Sequence, residues 1–270
     1  MLNFSVLISL YEKETPESLH SALESVKNQT LQPSQVVIVF DGPIPKELES
    51  IIDEFHNQFN ELKILKLDKN MGLGKALNFG ILHCKNELVA RMDTDDICYP
   101  SRFEQQVNFM SSHTHISVVG SSIQEFKITP GDIDQFKTPP SNYEDLKKFA
   151  KFRNPLNHPS VMFRKSNVIN AGSYKHMPLF EDYFLWVRML VLGYKIANLN
   201  VPLLHSRIGN DMIGRRHGVS YLIKELNFLL AIRSLGYINF IELIISIFLK
   251  LPLRLLPKST LEFLYKKALR

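Results

Sequence analysis

The 270-residue sequence predicts an α/β fold, a mostly parallel sheet flanked by helices and followed by an amphipathic helical segment at the C-terminal end. Three observations carry that expectation. Short β-branched runs alternate with helix-length stretches through the first half, which is the signature of βαβ units. Those runs are apolar at almost every position, as strands covered on both faces must be. Hydrophobic residues make up 45% of the chain, enough to bury a full core.

The elements follow in order. Phe4 to Leu10 is the first buried run, and Pro16 opens a helix with Thr15 as its N-cap. Val36 to Phe40 is a second run, closed by Asp41-Gly42-Pro43. Leu62 to Leu67 and Glu87 to Met92 are the third and fourth, with helices expected over Pro45 to Asn57 and Leu73 to His83 between the runs. A helix begun by Pro100 has Phe103, Val107 and Met110 as its buried stripe. His115 to Gly120 reads as a strand, Glu181 to Leu192 as a helix, Lys195 to His205 as strand-like pieces, and Val219 to Leu235 as a longer helix.

Composition narrows the function. No basic, apolar leader precedes the first strand, so Cys84 and Cys98 are read as thiols of a reducing cytosol. The net charge of +5 is uneven: from Ile213 to Arg270 there are ten Lys or Arg and three Asp or Glu. A basic surplus confined to an apolar-rich end favours an anionic membrane surface, and no stretch has a nucleic-acid-binding pattern, so no nucleic-acid partner is expected.

The polar residues that could carry chemistry fall beyond the carboxyl ends of the expected strands, where open α/β sheets bind ligands. Met92-Asp93-Thr94-Asp95-Asp96 places three carboxylates in four positions, which repel one another unless a cation neutralises them. Spacing alone leaves a metal site and a helix-capping acidic turn equally open. Asp41-Gly42 is also ordinary turn chemistry, and Glu181-Asp182 could serve only a helix N-terminus. Gly72 and Gly74 permit a close backbone approach to a ligand, but the spacing is neither a P-loop nor a dinucleotide fingerprint.

Taken together and in order, these segments resemble family-2 glycosyltransferases of the GT-A fold. Ser5-Val6-Leu7-Ile8-Ser9 resembles the opening strand, Ser25 to Pro33 the end of the first helix, and Val39-Phe40-Asp41-Gly42 the second strand's end. Asn70 to Asn78 resembles the glycine-containing donor loop, Ala90 to Asp96 the DxD segment, and Phe180-Glu181-Asp182-Tyr183 the later ED segment. Pro43 departs from the Asp-Gly-Ser often found there. The resemblance covers about residues 3 to 220: a nucleotide-sugar half over 1–112, an acceptor half over 113–220, and a separate helical region over 221–270.

What the resemblance implies is specific. The GT-A fold has a Rossmann-like sheet. Asp41 would accept from the uracil ring, Asp93 would hold the ribose hydroxyls, and Asp95 would coordinate Mn²⁺ or Mg²⁺ on the diphosphate. Asp182 is the expected base, with Glu181 orienting substrate. Gly72 and Lys75 are donor-side candidates, as are Arg215 and Arg216, whose guanidinium forks match phosphate oxygens. His205 is a candidate metal ligand with His217 as its competitor, and His158 a candidate for the acceptor pocket. The implied activity is inverting transfer of a hexose, galactose or glucose, from a UDP-sugar to a lipid-linked or oligosaccharide acceptor of bacterial O-antigen or polysaccharide synthesis. Two other readings stay open: a metal-dependent nucleotidyl or phosphoryl transferase, and a silent sugar-nucleotide-binding subunit.

The C-terminal region reads as peripheral on the inner face of the cell membrane. Ile238 to Leu249 is strongly apolar but too short to span, and Glu242 interrupts it. Lys250, Arg254, Lys258, Lys266, Lys267 and Arg270 supply positive charge beside it, as an interfacial helix requires. A helix pair packed on the core or at a dimer interface is the competing reading.

Overall fold

The computed structural model describes residues 2–59, 61–209 and 217–255. The first 92 residues form βαβ units: β1 (Phe4–Leu10), α1 (Pro16–Lys27), β2 (Gln35–Phe40), α2 (Lys46–Phe55), β3 (Leu62–Lys66), α3 (Leu73–His83) and β4 (Leu88–Met92). Thr15 caps α1, its hydroxyl accepting from Ser18 N–H at 3.2 Å, with Pro16 supplying the first helical position. Each buried strand run is paired on register: Val6 lies beside Val36 on one side and Ala90 on the other.

The second half adds β5 (Ile97–Cys98), α4 (Arg102–Ser112), β6 (Ile116–Phe126), β7 (Gln135–Lys137), α5 (Tyr143–Phe149), a 3-10 turn at His158–Ser160, β8 (Met162–Arg164), α6 (Lys165–Asn170), α7 (Glu181–Val191), β9 (Lys195–Arg207), α8 (Gly218–Ser234) and α9 (Phe240–Leu255). The sheet runs β3-β2-β1-β4-β8-β6-β9-β5, with β7 on β6. β3, β2, β1, β4, β6 and β9 all point the same way, and only the short β8, β5 and β7 oppose them. The expected parallel character therefore holds, with β8 inserted between two parallel blocks.

Three boundaries differ from the sequence expectation for physical reasons. α4 begins at Arg102, not Pro100, because Pro100 turns the chain and its carbonyl accepts from Thr30 N–H at 2.9 Å. β6 runs six residues past Gly120, pairing with β9 to its end. β9 is one strand with a bulge: Ser121 pairs with Leu199 but Ser122 with Pro202, so the residues between bow out where proline cannot donate to the ladder.

The sheet separates two apolar cores. Val6, Ile8, Val36 and Ile38 face α1, α2 and α4, while Leu7, Val37, Val39 and Val89 face α3 and α7. α8 belongs to the second core through Phe228, Leu229 and Ile232. Both cysteines are buried and unpaired, and burial pushes the Cys84 thiol up to about 12. The common strand direction puts the ends of β2, β4, β6 and β9 along one edge.

Candidate active site

At the end of β2, Asp41 is 4% exposed and already employed. Its Oδ1 accepts from Met71 N–H at 2.6 Å and its Oδ2 from Gly72 N–H at 3.0 Å, which fixes the loop leading into α3. Gly42 has φ +92°, and a Cβ there would stand 2.6 Å from Asn70 N, so only glycine lets the two loops meet. Asp41 therefore shapes the loop over residues 70–72 that leads into α3. Gly72 lies at that loop's end with φ +88°, and Lys75 projects exposed from the first turn of α3.

At the end of β4, Arg91 is 2% exposed and donates to both oxygens of Asp93, Nη1 to Oδ2 at 2.6 Å and Nη2 to Oδ1. Buried Arg102 ties this strand to the neighbouring turn, donating to Arg91 O at 2.7 Å and Pro159 O at 3.0 Å. Asp93, Asp95 and Asp96 each bring an oxygen to within 4.8 Å of the others. Asp96 is 2% exposed; its Oδ1 accepts from Arg207 N–H at 2.8 Å, and its buried Oδ2 has no hydrogen-bond partner among the described residues. Burial, then Asp93 and Glu14, push the Asp95 carboxyl up to about 7, and burial beside Asp93 and Asp95 raises Asp96 further from its ordinary range. A buried oxygen without a donor and carboxylates that resist ionising together are relieved by a hard dication, so the donor set fits Mg²⁺ or Mn²⁺. With Asp93 held by Arg91, Asp95 and Asp96 are the ligands most available to one.

Facing this edge is the start of α7. A Cβ on Gly74 would stand 3.0 Å from Glu181 Cγ, so the small residue of α3 admits the Glu181 side chain. Burial, then Asp182, raises the Glu181 carboxyl. Asn154 Nδ2 donates to Asp182 Oδ2 at 2.6 Å. Leu179, just before the helix, has φ +73°, a strained setting for leucine. Tyr174 joins the two sides: its hydroxyl is 2.8 Å from His158 Nε2, and Arg91, Asp182 and Asp93 all act on it electrostatically. Burial, then Arg91, holds His158 well below the ordinary imidazole range, hence neutral. Asn78 secures the Tyr174 backbone, its Oδ1 accepting from Tyr174 N–H at 2.8 Å.

One edge of the sheet thus presents a glycine-bearing loop, an acidic cluster and a pair of acids at a helix start. The sequence pattern of glycosyl transferase family 2 matches residues 5–170, which includes the loop and the cluster. Amylovoran biosynthesis glycosyltransferase AmsE of Erwinia amylovora is 42% identical over 98% of both chains.

The chain belongs to glycosyl transferase family 2.

A second relative, an Escherichia coli protein named UDP-Gal:alpha-D-GlcNAc-diphosphoundecaprenol beta-1,3-galactosyltransferase, is 38% identical over 99% of this chain and 96% of its own. Among solved structures, S. aureus TarS 1-349 in complex with UDP-GlcNAc superposes with a TM-score of 0.66 at 18% identity, covering 85% of this chain and 66% of that one. The same TarS fragment with UDP gives 0.66 at 17% identity, over 87% and 65%. At that identity the likeness shows the fold, which is the expected GT-A type.

In this glycosyltransferase the structure brings Asp41, Gly72, Asp93, Asp95, Glu181 and Asp182 to one edge. His205 pairs with Ile97, next to the acidic cluster in the sheet. Its ring stacks on Tyr99 at 4.1 Å, edge-on to Phe126, and it is not among the atoms that converge within 4.8 Å. Two residues on, Arg207 makes the contact instead, through its backbone to Asp96 and its Nε to Asp95 O at 3.2 Å. Arg215 and Arg216 lie outside the described residues. Besides Arg207, four contributors were not singled out from sequence: Glu14, which accepts from the Thr94 hydroxyl, and Arg91, Tyr174 and Asn154. Arg91 had a signal, a charged residue inside an otherwise apolar strand run. The other three are joined to the site only by the fold.

Proposed function

We propose that this enzyme transfers a hexose, galactose or glucose, from a UDP-sugar to a sugar hydroxyl on a lipid-diphosphate-linked acceptor, with inversion. The observation that carries the reading is that Asp93, after β4, and Asp182, at the start of α7, both act on the buried Tyr174 hydroxyl, which bonds His158. The relative from Escherichia coli, whose name specifies UDP-galactose and a diphosphoundecaprenol acceptor, supports the substrate class, as do the UDP-bound TarS structures for the donor. Bacterial polysaccharide or O-antigen assembly is the corresponding setting, at the cytoplasmic face of the membrane.

In this reading Asp41 and the 70–72 loop frame the uracil, and Asp93, held in one orientation by Arg91, receives the ribose hydroxyls. Asp95 and Asp96 would hold Mn²⁺ or Mg²⁺, which would supply positive charge against the leaving diphosphate. Asp182 takes the acceptor's hydroxyl proton while that oxygen bonds to the anomeric carbon and the bond to the diphosphate breaks, releasing UDP. Asn154 occupies one Asp182 oxygen and leaves the other for the proton. Glu181, packed against Gly74 and disfavoured as an anion, orients substrate between donor loop and base. Gly72 and Lys75 border the donor, with Arg215 and Arg216 as further diphosphate contacts.

Donor labelling tests this. UDP-galactose or UDP-glucose labelled separately in sugar and uridine is incubated with a polyprenyl-diphosphate N-acetylglucosamine acceptor. Sugar label in the lipid product with uridine label recovered as intact UDP is the expected result. UMP release, or uridine label in the product, would establish the nucleotidyl or phosphoryl transferase instead. No turnover with any donor would leave a binding subunit.

A further inference from the structure

α9 carries its apolar residues on the wrong side for a helix of a water-exposed surface. Leu243 and Ser246 face inward, and Arg254 and Lys250 pair with Glu225 of α8, Arg254 Nε donating to Glu225 Oε2 at 2.8 Å. Outward stand Phe240, Ile241, Ile244, Ile245, Phe248 and Leu249, exposed by 64, 69, 37, 42, 75 and 62%. Their spacing covers about half the helix circumference. A contiguous apolar face of this kind marks an interaction site.

Charged side chains stand beside that face. Tyr237, one turn before α9, donates its hydroxyl to Lys147 O at 2.7 Å, and Lys151 pairs with Glu242. The N-terminal end of α9 therefore sits beside the last turn of α5, where Lys147 and Lys148 are exposed, while the exposed acids Glu144 and Asp145 lie in its first turn. Past its C-terminal end, residues 256–270 contain Lys258, Lys266, Lys267 and Arg270 against the single acid Glu262.

We propose that the outward face of α9, with the Lys147–Lys148 corner of α5, docks the enzyme on the anionic interface of a lipid bilayer. The apolar side chains enter the boundary between headgroups and acyl chains while the lysines meet the headgroups. Among the described residues no helix is long and apolar enough to cross a membrane, so α9 lies in the interface.

The surface also has a bearing on the chemistry, a point that rests on the transfer reading above. The chain leaves α5 and within five residues reaches Asn154, which holds Asp182. Phe228 of α8 stacks at 4.8 Å on Phe180, the residue before α7. The docked face is thus braced against the elements that position the base, and an acceptor anchored by a lipid tail approaches from that side.

Sedimentation of the full chain with vesicles tests the proposal. Wild type is expected to pellet with phosphatidylglycerol–phosphatidylcholine vesicles and not with phosphatidylcholine alone. Ile245→Asp with Phe248→Asp should lower the partition at least tenfold, and Lys147→Gln with Lys148→Gln should lower it about fivefold per lysine at low salt. Both variants should bind UDP with Mn²⁺ as wild type does by calorimetry, which shows that they fold. Wild type that stays in solution, binds both vesicles alike, or binds undiminished with both aspartates in place would overturn the proposal. So would a wild-type dimer that the two aspartates split into monomers, or vesicle binding that appears only when residues 256–270 are removed. Vesicle binding decides the docking surface and donor labelling decides the transfer reading, so either can fail alone.

Discussion

Two side chains at the end of β4 show how the site trades stability for binding. The Asp95 carboxyl is held up to about 7 in the folded chain, against an unfolded value near ~3.9. Its ionised form is therefore disfavoured by folding. Stability is unaffected by this group below about pH 4, falls as pH rises, and reaches its full loss above 7. Asp95→Asn should raise the Tm of the metal-free protein more at pH 8 than at pH 4.5, and saturating Mn²⁺ should stabilise wild type but not the variant. Equal Tm gains at the two pH values would contradict the electrostatic account. Arg91 is the complementary case, a buried guanidinium whose fork sets one carboxylate. Arg91→Lys keeps the charge but cannot hold both Asp93 oxygens, so UDP affinity by calorimetry should fall about tenfold with the fold retained. Unchanged affinity would show that Asp93 needs no such support.

At the scale of elements, legibility in the sequence followed length and periodicity. α3 is found over the expected span, and β1 and β2 agree to a residue, because each is long enough to show its own pattern. The short antiparallel β8 has no such pattern in three residues, and only pairing with β4 and β6 makes it a strand. The site divides in the same way. Asp93, Asp95, Glu181 and Asp182 were visible because acids cluster locally in the chain. Tyr174 and Asn154 were not, because each reaches the site across the fold from a stretch with no local signal. His205 lies beside the cluster in the sheet, with its ring stacked on Tyr99, and Arg207 N–H meets the Asp96 carboxylate. The aromatic join between α7 and α8 was also invisible locally. Phe228 packs on Phe180 and Tyr183 at 4.8 and 4.5 Å, so Phe228→Ala should cost about 3–5 kcal/mol in denaturant unfolding and loosen the start of α7. A loss under about 1 kcal/mol would mean the two helices are not braced by it.

For the whole molecule, the common strand direction gathers residues from β2, β4 and β9 on one edge, and the loop before α7 brings the acids of the second half to face them. In the proposed function the two sides have separate duties: the carboxylates after β4 would hold donor and metal, and Asp182 would act on the acceptor. That division is open to one paired measurement, UDP binding in the presence of Mn²⁺ alongside steady-state sugar transfer, on Asp95→Ala and Asp182→Asn. Asp95→Ala should lose Mn²⁺-dependent UDP binding and turnover together, as wild type does in EDTA. Asp182→Asn should bind UDP and Mn²⁺ like wild type while its turnover falls by roughly 10²–10⁴, the loss of a general base. Normal turnover in Asp182→Asn, or full Mn²⁺-dependent UDP binding in Asp95→Ala, would contradict the division.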